Sequence, residues 1–221
     1  MTPIPGVPMR PPFVRQSLLV MAACLLVAAT PATPRVAAHH APRTETAVFA
    51  GGCFWGVQAV FQHVRGVQSA VSGYAGGEKR TADYETVSEG ASGHAESVRV
   101  TYDPAVVSYT TLLELFFTVA HDPTQKNRQG PDVGTQYRSA IFYTSEAQRA
   151  AAAEYIRGFD ASHAYRNPVV TEVTPLKGFY EAEPYHQDYA TRHPDDPYIV
   201  YNDAPKVANL KRRFAAIYTE R

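Results

Sequence analysis

Residues 44–61, TETAVFAGGCFWGVQAVF, constrain the fold more than any other stretch of the chain. TETAVFA reads as a strand and Gly51-Gly52 as a turn, and beyond them Val57, Val60, Phe61 and Val64 recur at helical spacing. The product is a strand, Gly-Gly turn, helix unit with Cys53 at the helix N-terminus. There, unpaired backbone N–H groups and the helix dipole favour a thiolate, so position alone predicts a thiol pKa below the free value of about 8.5. Gly51 and Gly52 allow a ligand close to the backbone, and Phe54 and Trp55 can wall an apolar pocket. The same residues also fit a small buried thiol at a tight junction, with both aromatics as core.

Whether Cys53 has a disulfide partner depends on the N-terminus. A Pro-rich start carrying Arg10 and Arg15 leads into the unbroken apolar run 18–29 and then TPATPRVAAHHA. Basic, apolar and small-residue segments in that order predict a signal peptide over residues 1–38, cleaved near 32 or 38, and an exported, periplasmic or extracytoplasmic protein. The run is shorter than the roughly twenty residues a membrane-spanning helix needs, so no stable membrane insertion is expected. Lipidation at Cys24 is the alternative, but the apolar run continues past that residue as LLVAA. The chain holds two cysteines, and Cys24 leaves with the signal. The mature chain then carries Cys53 alone, with no internal disulfide, and a lone thiol in an oxidising compartment is either buried or used.

From Thr44 to Arg221 no linker or repeat divides the chain, which predicts a single domain over 44–221. GVQSAVSGYAGG, residues 66–77, reads as a strand and Gly-rich loop, and AESVRVTY, residues 95–102, as a strand. In the latter Glu96 shares its parity with Val98, Val100 and Tyr102, so the acid points inward. Ser108 fits an N-cap before a helix that stops at His121-Asp122-Pro123. RSAIFY is a strand, a helix follows from about Ser145 to Phe159, and VVTEVTPL is a further strand. A Pro205-initiated helix with Val207, Leu210, Phe214 and Ile217 on one side closes the chain. This interleaving predicts a mixed sheet with packed helices.

Basic and acidic side chains balance at 21 each, which gives no electrostatic reason to expect nucleic acid as a partner. A desolvated Glu96 carboxyl has a raised pKa and can donate a proton. His94 lies two residues from it, Tyr84 follows the Gly-rich loop, and Asp132 and Tyr137 sit in polar, turn-forming sequence. No His/Cys cluster has metal-ligand spacing, and GYAGGEK lacks the phosphate-binding pattern. Two rival readings use the same residues. One is a Cys-His-Glu acyl-transfer hydrolase built on Cys53, His94 and Glu96. The other is a non-catalytic peptide-binding module with Trp55, Tyr84 and Tyr137 as an aromatic groove.

GGCFWG, SGYAGG, SGHAES, VTYDP, HDPTQKNRQGPDVGTQYRSAIFY and YHQDY together resemble peptide methionine sulfoxide reductase of the A type, over residues 46 to 218. The resemblance implies an α/β (α+β) fold: two-layer, mixed β-sheet packed with helices, with a ferredoxin-like-type core. It implies thiol-dependent reduction of methionine S-sulfoxide, free or in proteins, through a Cys53 sulfenic acid. Cys53 matches the nucleophile, Glu96 the acid that protonates the sulfoxide oxygen, and Tyr84 and Tyr137 the hydroxyls that hold it. Phe54 and Trp55 match the pocket for the substrate methyl group, and Asp132 a substrate contact. No metal or organic cofactor is implied. The partners are oxidised proteins, peptides or free methionine sulfoxide and a thiol reductant, acting on a monomer. The tail YNDAPKVANLKRRFAAIYTER departs from the many family members that hold a second, recycling cysteine. Thioredoxin, glutaredoxin or a small thiol must then attack the sulfenic acid directly.

Overall fold

The computed structural model describes residues 44–220. The signal peptide expected over residues 1–38, its cleavage positions and Cys24 lie outside the described residues. β1 (Glu45–Gly51) is followed by α1 (Phe54–Gln62), β2 (Val67–Ala75), the short α2 (Tyr84–Ser88), β3 (Ala95–Tyr102) and α3 (Tyr109–Leu115), which runs on as a π turn over Phe116–Ala120. The two-residue strands β4 (Arg128–Gln129) and β5 (Asp132–Val133) form a ribbon of their own before β6 (Ser139–Tyr143). α4 (Glu146–Ala161), β7 (Glu172–Pro175), β8 (Phe179–Glu181), α5 (Tyr189–Arg192) and α6 (Ala204–Arg213) complete the order.

The main sheet runs β7-β6-β1-β3-β2-β8. β1, α1, β2, β3, α3 and β6 form a β-α-β-β-α-β unit whose four strands lie in the order β6-β1-β3-β2, all antiparallel. This is the split-βαβ, ferredoxin-like arrangement. β7 joins β6 in parallel through the α4 crossover, which makes the sheet mixed.

Alternation along β1 divides the interior. Ala47 and Phe49 face the helix layer, whereas Val48 and Ala50 face a smaller apolar cluster with Ala140 and Phe142, backed by Leu176 and Phe179. On the helix side Phe49 stacks on Phe61 of α1 and on Phe116, with centroids 5.1 and 4.9 Å apart. Glu96, Val98, Val100 and Tyr102 of β3 are all buried, and the three apolar ones join this larger core. Ser108 and Ser145 cap α3 and α4 by accepting the Thr111 and Gln148 N–H groups, which helix-start side chains do at about 1 kcal/mol each.

The closing helix ends earlier than its apolar spacing predicts. α6 stops at Arg213, because the chain beyond it turns back to α1: Arg65 N–H donates to the Ile217 carbonyl, Thr219 N–H to that of His63, and Val64 bridges Tyr218. Phe214 and Ile217 still pack on the core, as a turn rather than a helix. Among the described residues no helix is long and apolar enough to cross a membrane.

Candidate active site

The β1–α1 junction sets the position of Cys53. Gly52 has φ +90°, and a Cβ there would lie 2.5 Å from Gln129, so only glycine makes this turn at this distance from the β4 strand. Cys53 is the N-cap of α1, 8% exposed, and the only cysteine among the described residues. Antiparallel pairing of β3 with β1 and β2 brings Glu96 beside it, and the Phe54 N–H, an orphan donor of the first helical turn, donates to Glu96 Oε2 at 3.0 Å.

Glu96 is 3% exposed, and burial pushes its carboxyl up to about 8, helped by the charges of Asp132 and Asp203. Hydrogen bonds from Phe54 N–H and Cys53 oppose the shift without cancelling it. The group therefore carries its proton at neutral pH. Cys53 departs from the expectation based on helix position. Burial, then the charges of Glu96 and Asp203, push the thiol well above its ordinary range, and the Trp55 N–H and the Lys206 charge only partly offset them. Desolvation of a nearly closed site outweighs the end of one helix.

The remaining side chains close around this pair. Cys53, Phe54, Trp55, Tyr84, Glu96, Asp132 and Tyr137 line a single cavity of about 200 Å³, together with Tyr198. Tyr84 begins α2, where its N–H donates to the Glu183 carboxylate at 2.9 Å and the Asp83 side chain caps the turn. Tyr137 ends the 3-10 turn Thr135–Tyr137, which Arg138 pins by donating to the carbonyls of Gly93, His94 and Thr135. Burial raises both phenols, so both remain hydroxyl donors at neutral pH. Trp55 stacks on Tyr189 at 3.7 Å and meets Tyr198 edge-on at 5.8 Å. Its indole N–H donates to His186 Nδ1 at 3.2 Å.

His94 lies outside the cavity. Its Nδ1 accepts the Gly77 N–H at 3.2 Å and its Nε2 reaches the Glu78 carbonyl at 3.0 Å, so the loop between β2 and α2 occupies both ring nitrogens. A Cys-His-Glu hydrolase needs that ring on Cys53, and the aromatic-groove reading gives no part to a buried acid beside a thiol. Among the described residues no cluster of His, Cys, Asp or Glu could hold a metal ion.

Tyr198, which donates to Asp132 Oδ2, was not legible as a site residue. It sits in HPDDPYIVYND, where two prolines interrupt any period. His186 and Tyr189 fall within YHQDY, so the support of Trp55 had a signal but no pattern that assigned it.

The family described as Peptide methionine sulfoxide reductase matches residues 45–217. A peptide methionine sulfoxide reductase, MsrA 2, of Mesorhizobium japonicum is 60% identical over 82% of this chain and 93% of its own length. One from Synechocystis, also MsrA 2, is 51% identical over 78% and 80%. Among solved structures, methionine sulfoxide reductase A of Corynebacterium diphtheriae is similar with TM-score 0.65 and 36% identity over 70% of this chain and 77% of that one. Reduced Mxr1 from Saccharomyces cerevisiae is similar with TM-score 0.64 and 33% identity over 70% and 88%. With the matched span covering both the sheet and the whole Cys53 cavity, the chain belongs to the peptide methionine sulfoxide reductase family.

Proposed function

We propose that this protein reduces the S epimer of methionine sulfoxide, free or within proteins and peptides, to methionine, and so repairs oxidised proteins. The observation that carries this reading is one small cavity holding a thiol, a carboxyl protonated up to about pH 8, two phenol donors and an aromatic wall. The names of its relatives support the same activity. The Cys53 sulfur attacks the sulfoxide sulfur while the oxygen, held by the Tyr84 and Tyr137 hydroxyls, takes the Glu96 proton. The thiol proton restores Glu96. The substrate S–O bond breaks and a Cys53 S–O bond forms, so methionine sulfoxide is reduced by two electrons and Cys53 is oxidised to the sulfenic acid. Phe54 and Trp55 receive the substrate methyl group and Asp132 contacts the substrate. Methyl on the aromatic side and oxygen on the Glu96 side admit one hand of a chiral sulfur.

An external thiol then attacks the sulfenic sulfur, releasing water and leaving a mixed disulfide, and a second thiol frees Cys53. Cys53 being the only cysteine among the described residues supports recycling by thioredoxin, glutaredoxin or a small thiol. The basic, apolar and small-residue order of residues 1–38 supports export to the periplasm, where the protein acts as a monomer.

The test is single-turnover reduction of racemic methionine sulfoxide without added thiol. About one equivalent of methionine per chain, from the S epimer alone, with dimedone then labelling Cys53, is the expected result. No methionine from folded, reduced protein would overturn the reading.

A further inference from the structure

His186 does not line the Cys53 cavity, yet it packs against three residues that do. The 3-10 turn Pro184–His186 buries its ring, whose centroid lies 4.4 Å from that of Tyr84, 5.1 Å from Phe54 and 5.8 Å from Trp55. An indole N–H only donates, so its 3.2 Å bond to His186 requires Nδ1 to be the bare nitrogen and puts the ring proton on Nε2. Nε2 is buried without a hydrogen-bond partner, and Glu183 Oε2 stands 4.0 Å from it. The Glu183 carboxylate is engaged elsewhere, accepting the Tyr84 N–H at 2.9 Å and the Tyr74 hydroxyl at 2.8 Å. The stack of Trp55 on Tyr189 fixes the plane of the indole but not which edge faces the cavity, because turning the ring over about its Cβ–Cγ bond preserves that plane. The directional bond to Nδ1 selects one of the two orientations.

We propose that His186 is a positioning residue for the reaction: as the neutral Nε2–H tautomer it holds the Trp55 edge through Nδ1 and backs the Tyr84 ring, and protonating it releases Trp55 from the orientation that receives the substrate methyl group. The inference rests on the reading of Phe54 and Trp55 as the methyl pocket. The titratable groups packed on the ring are Glu183 and Tyr185 from its own segment and Tyr84 from α2, whereas Phe54 and Trp55 of α1 carry none. Burial holds His186 below the ordinary histidine value, and the Glu183 charge only partly offsets this, so Nδ1 is free to accept at neutral pH. Once both nitrogens carry protons, Nε2 gains the pull of Glu183 and Nδ1 can no longer accept the indole N–H.

Trp55 is the single tryptophan of the chain, so the intrinsic fluorescence of the full chain reads this one ring. Wild-type emission should show a transition as pH falls below 6.5, the ordinary histidine value. His186→Asn places an amide oxygen where Nδ1 stood and does not titrate, so its emission should be flat over the same range and its KM for methionine S-sulfoxide at neutral pH within about twofold of wild type. His186→Leu keeps bulk without an acceptor, and its KM should rise about three- to tenfold, the cost of one hydrogen bond, with kcat within about twofold. The wild-type titration needs no variant to fold. Flat wild-type emission down to about pH 4 would overturn the proposal, as would a KM for His186→Asn as high as that of His186→Leu. A transition that persists in His186→Asn would overturn it too, and would point to another imidazole such as His193, which stacks on Tyr189. The emission readout needs no sulfoxide: loss of the reductase reading would show in the methionine assay, and loss of this one in the fluorescence titration.

Discussion

The Cys53 cavity has two walls of different construction. Cys53, Phe54, Trp55 and Glu96 stand on α1 and β3, whose backbones are fixed by helical and ladder hydrogen bonds. Tyr198, with His186 and Tyr189 behind Trp55, belongs to residues 182–203, a succession of single turns. That segment is held by side-chain amides. Gln187 accepts from Gln58 Nε2 and the Ser72 N–H and donates to the Ser72 and Ala182 carbonyls, while the Asp188 N–H donates to Gln58 Oε1. The Cys53–Glu96 pair is thus fixed by the fold, and the Tyr198 side by a few polar contacts to it. Removing a group from the first wall should change the chemistry, and removing one from the second should change stability or binding.

Glu96→Gln gives the largest effect and tests the first half of that contrast. The amide still accepts the Phe54 N–H but supplies no acidic proton, so kcat should fall about 10²- to 10⁴-fold with KM little changed. In wild type the rate of the reduction step should fall as pH rises through about 8, where Glu96 loses its proton. Stability follows with the same sign. The folded protein keeps this proton up to about pH 8, while the unfolded chain releases it near 4.5. Between those values the unfolded state binds fewer protons, so stability falls as pH rises across the window. Glu96→Gln should remove that loss, and urea unfolding at several pH values would show it. An unchanged kcat at neutral pH would remove Glu96 from the proton-donor role.

The same division explains what was legible in the sequence. The strand, Gly-Gly, helix unit and the parity of Glu96 follow from short-range periodicity, and they place Cys53 and Glu96 on their scaffold. The antiparallel register that sets β3 beside β1 is a long-range pairing, so strand parity predicts an inward acid, and it is the family resemblance rather than any periodicity that joins it to Cys53. Burial of the thiol is likewise a tertiary property, which is why helix position alone misjudged its acidity. The second wall has almost no period. Tyr198 and Asp203 look like ordinary loop residues until the Gln187 contacts fold that segment back over α1. In sequence His94 fits a structural histidine more readily than a general base, and the β2–α2 loop occupies both its ring nitrogens as that reading requires.

Gln187→Ala addresses the second wall through its attachment. It deletes four hydrogen bonds and leaves the Ser72 and Ala182 backbone groups short of partners. The expected loss is about 2–4 kcal/mol, read from urea or thermal unfolding. KM for methionine sulfoxide should rise as the Tyr198 side loosens, while dimedone labelling of Cys53 after turnover persists. A loss within about 0.5 kcal/mol would show that this segment holds its place without the amide network.

Tyr198→Phe is the smallest change and separates the two walls most finely. The ring that meets Trp55 edge-on is retained, and only the hydroxyl bonded to Asp132 is lost. That hydroxyl orients a wall residue and an acid on the rim, whereas the sulfoxide oxygen is assigned to Glu96, Tyr84 and Tyr137. The expected result is a KM about three- to tenfold higher, the cost of one hydrogen bond, with kcat within about twofold of wild type. Steady-state kinetics on methionine S-sulfoxide would decide it. A fall in kcat comparable to that of Glu96→Gln would put the Tyr198 hydroxyl on the reacting oxygen, and the second wall would then share in the chemistry rather than only frame it.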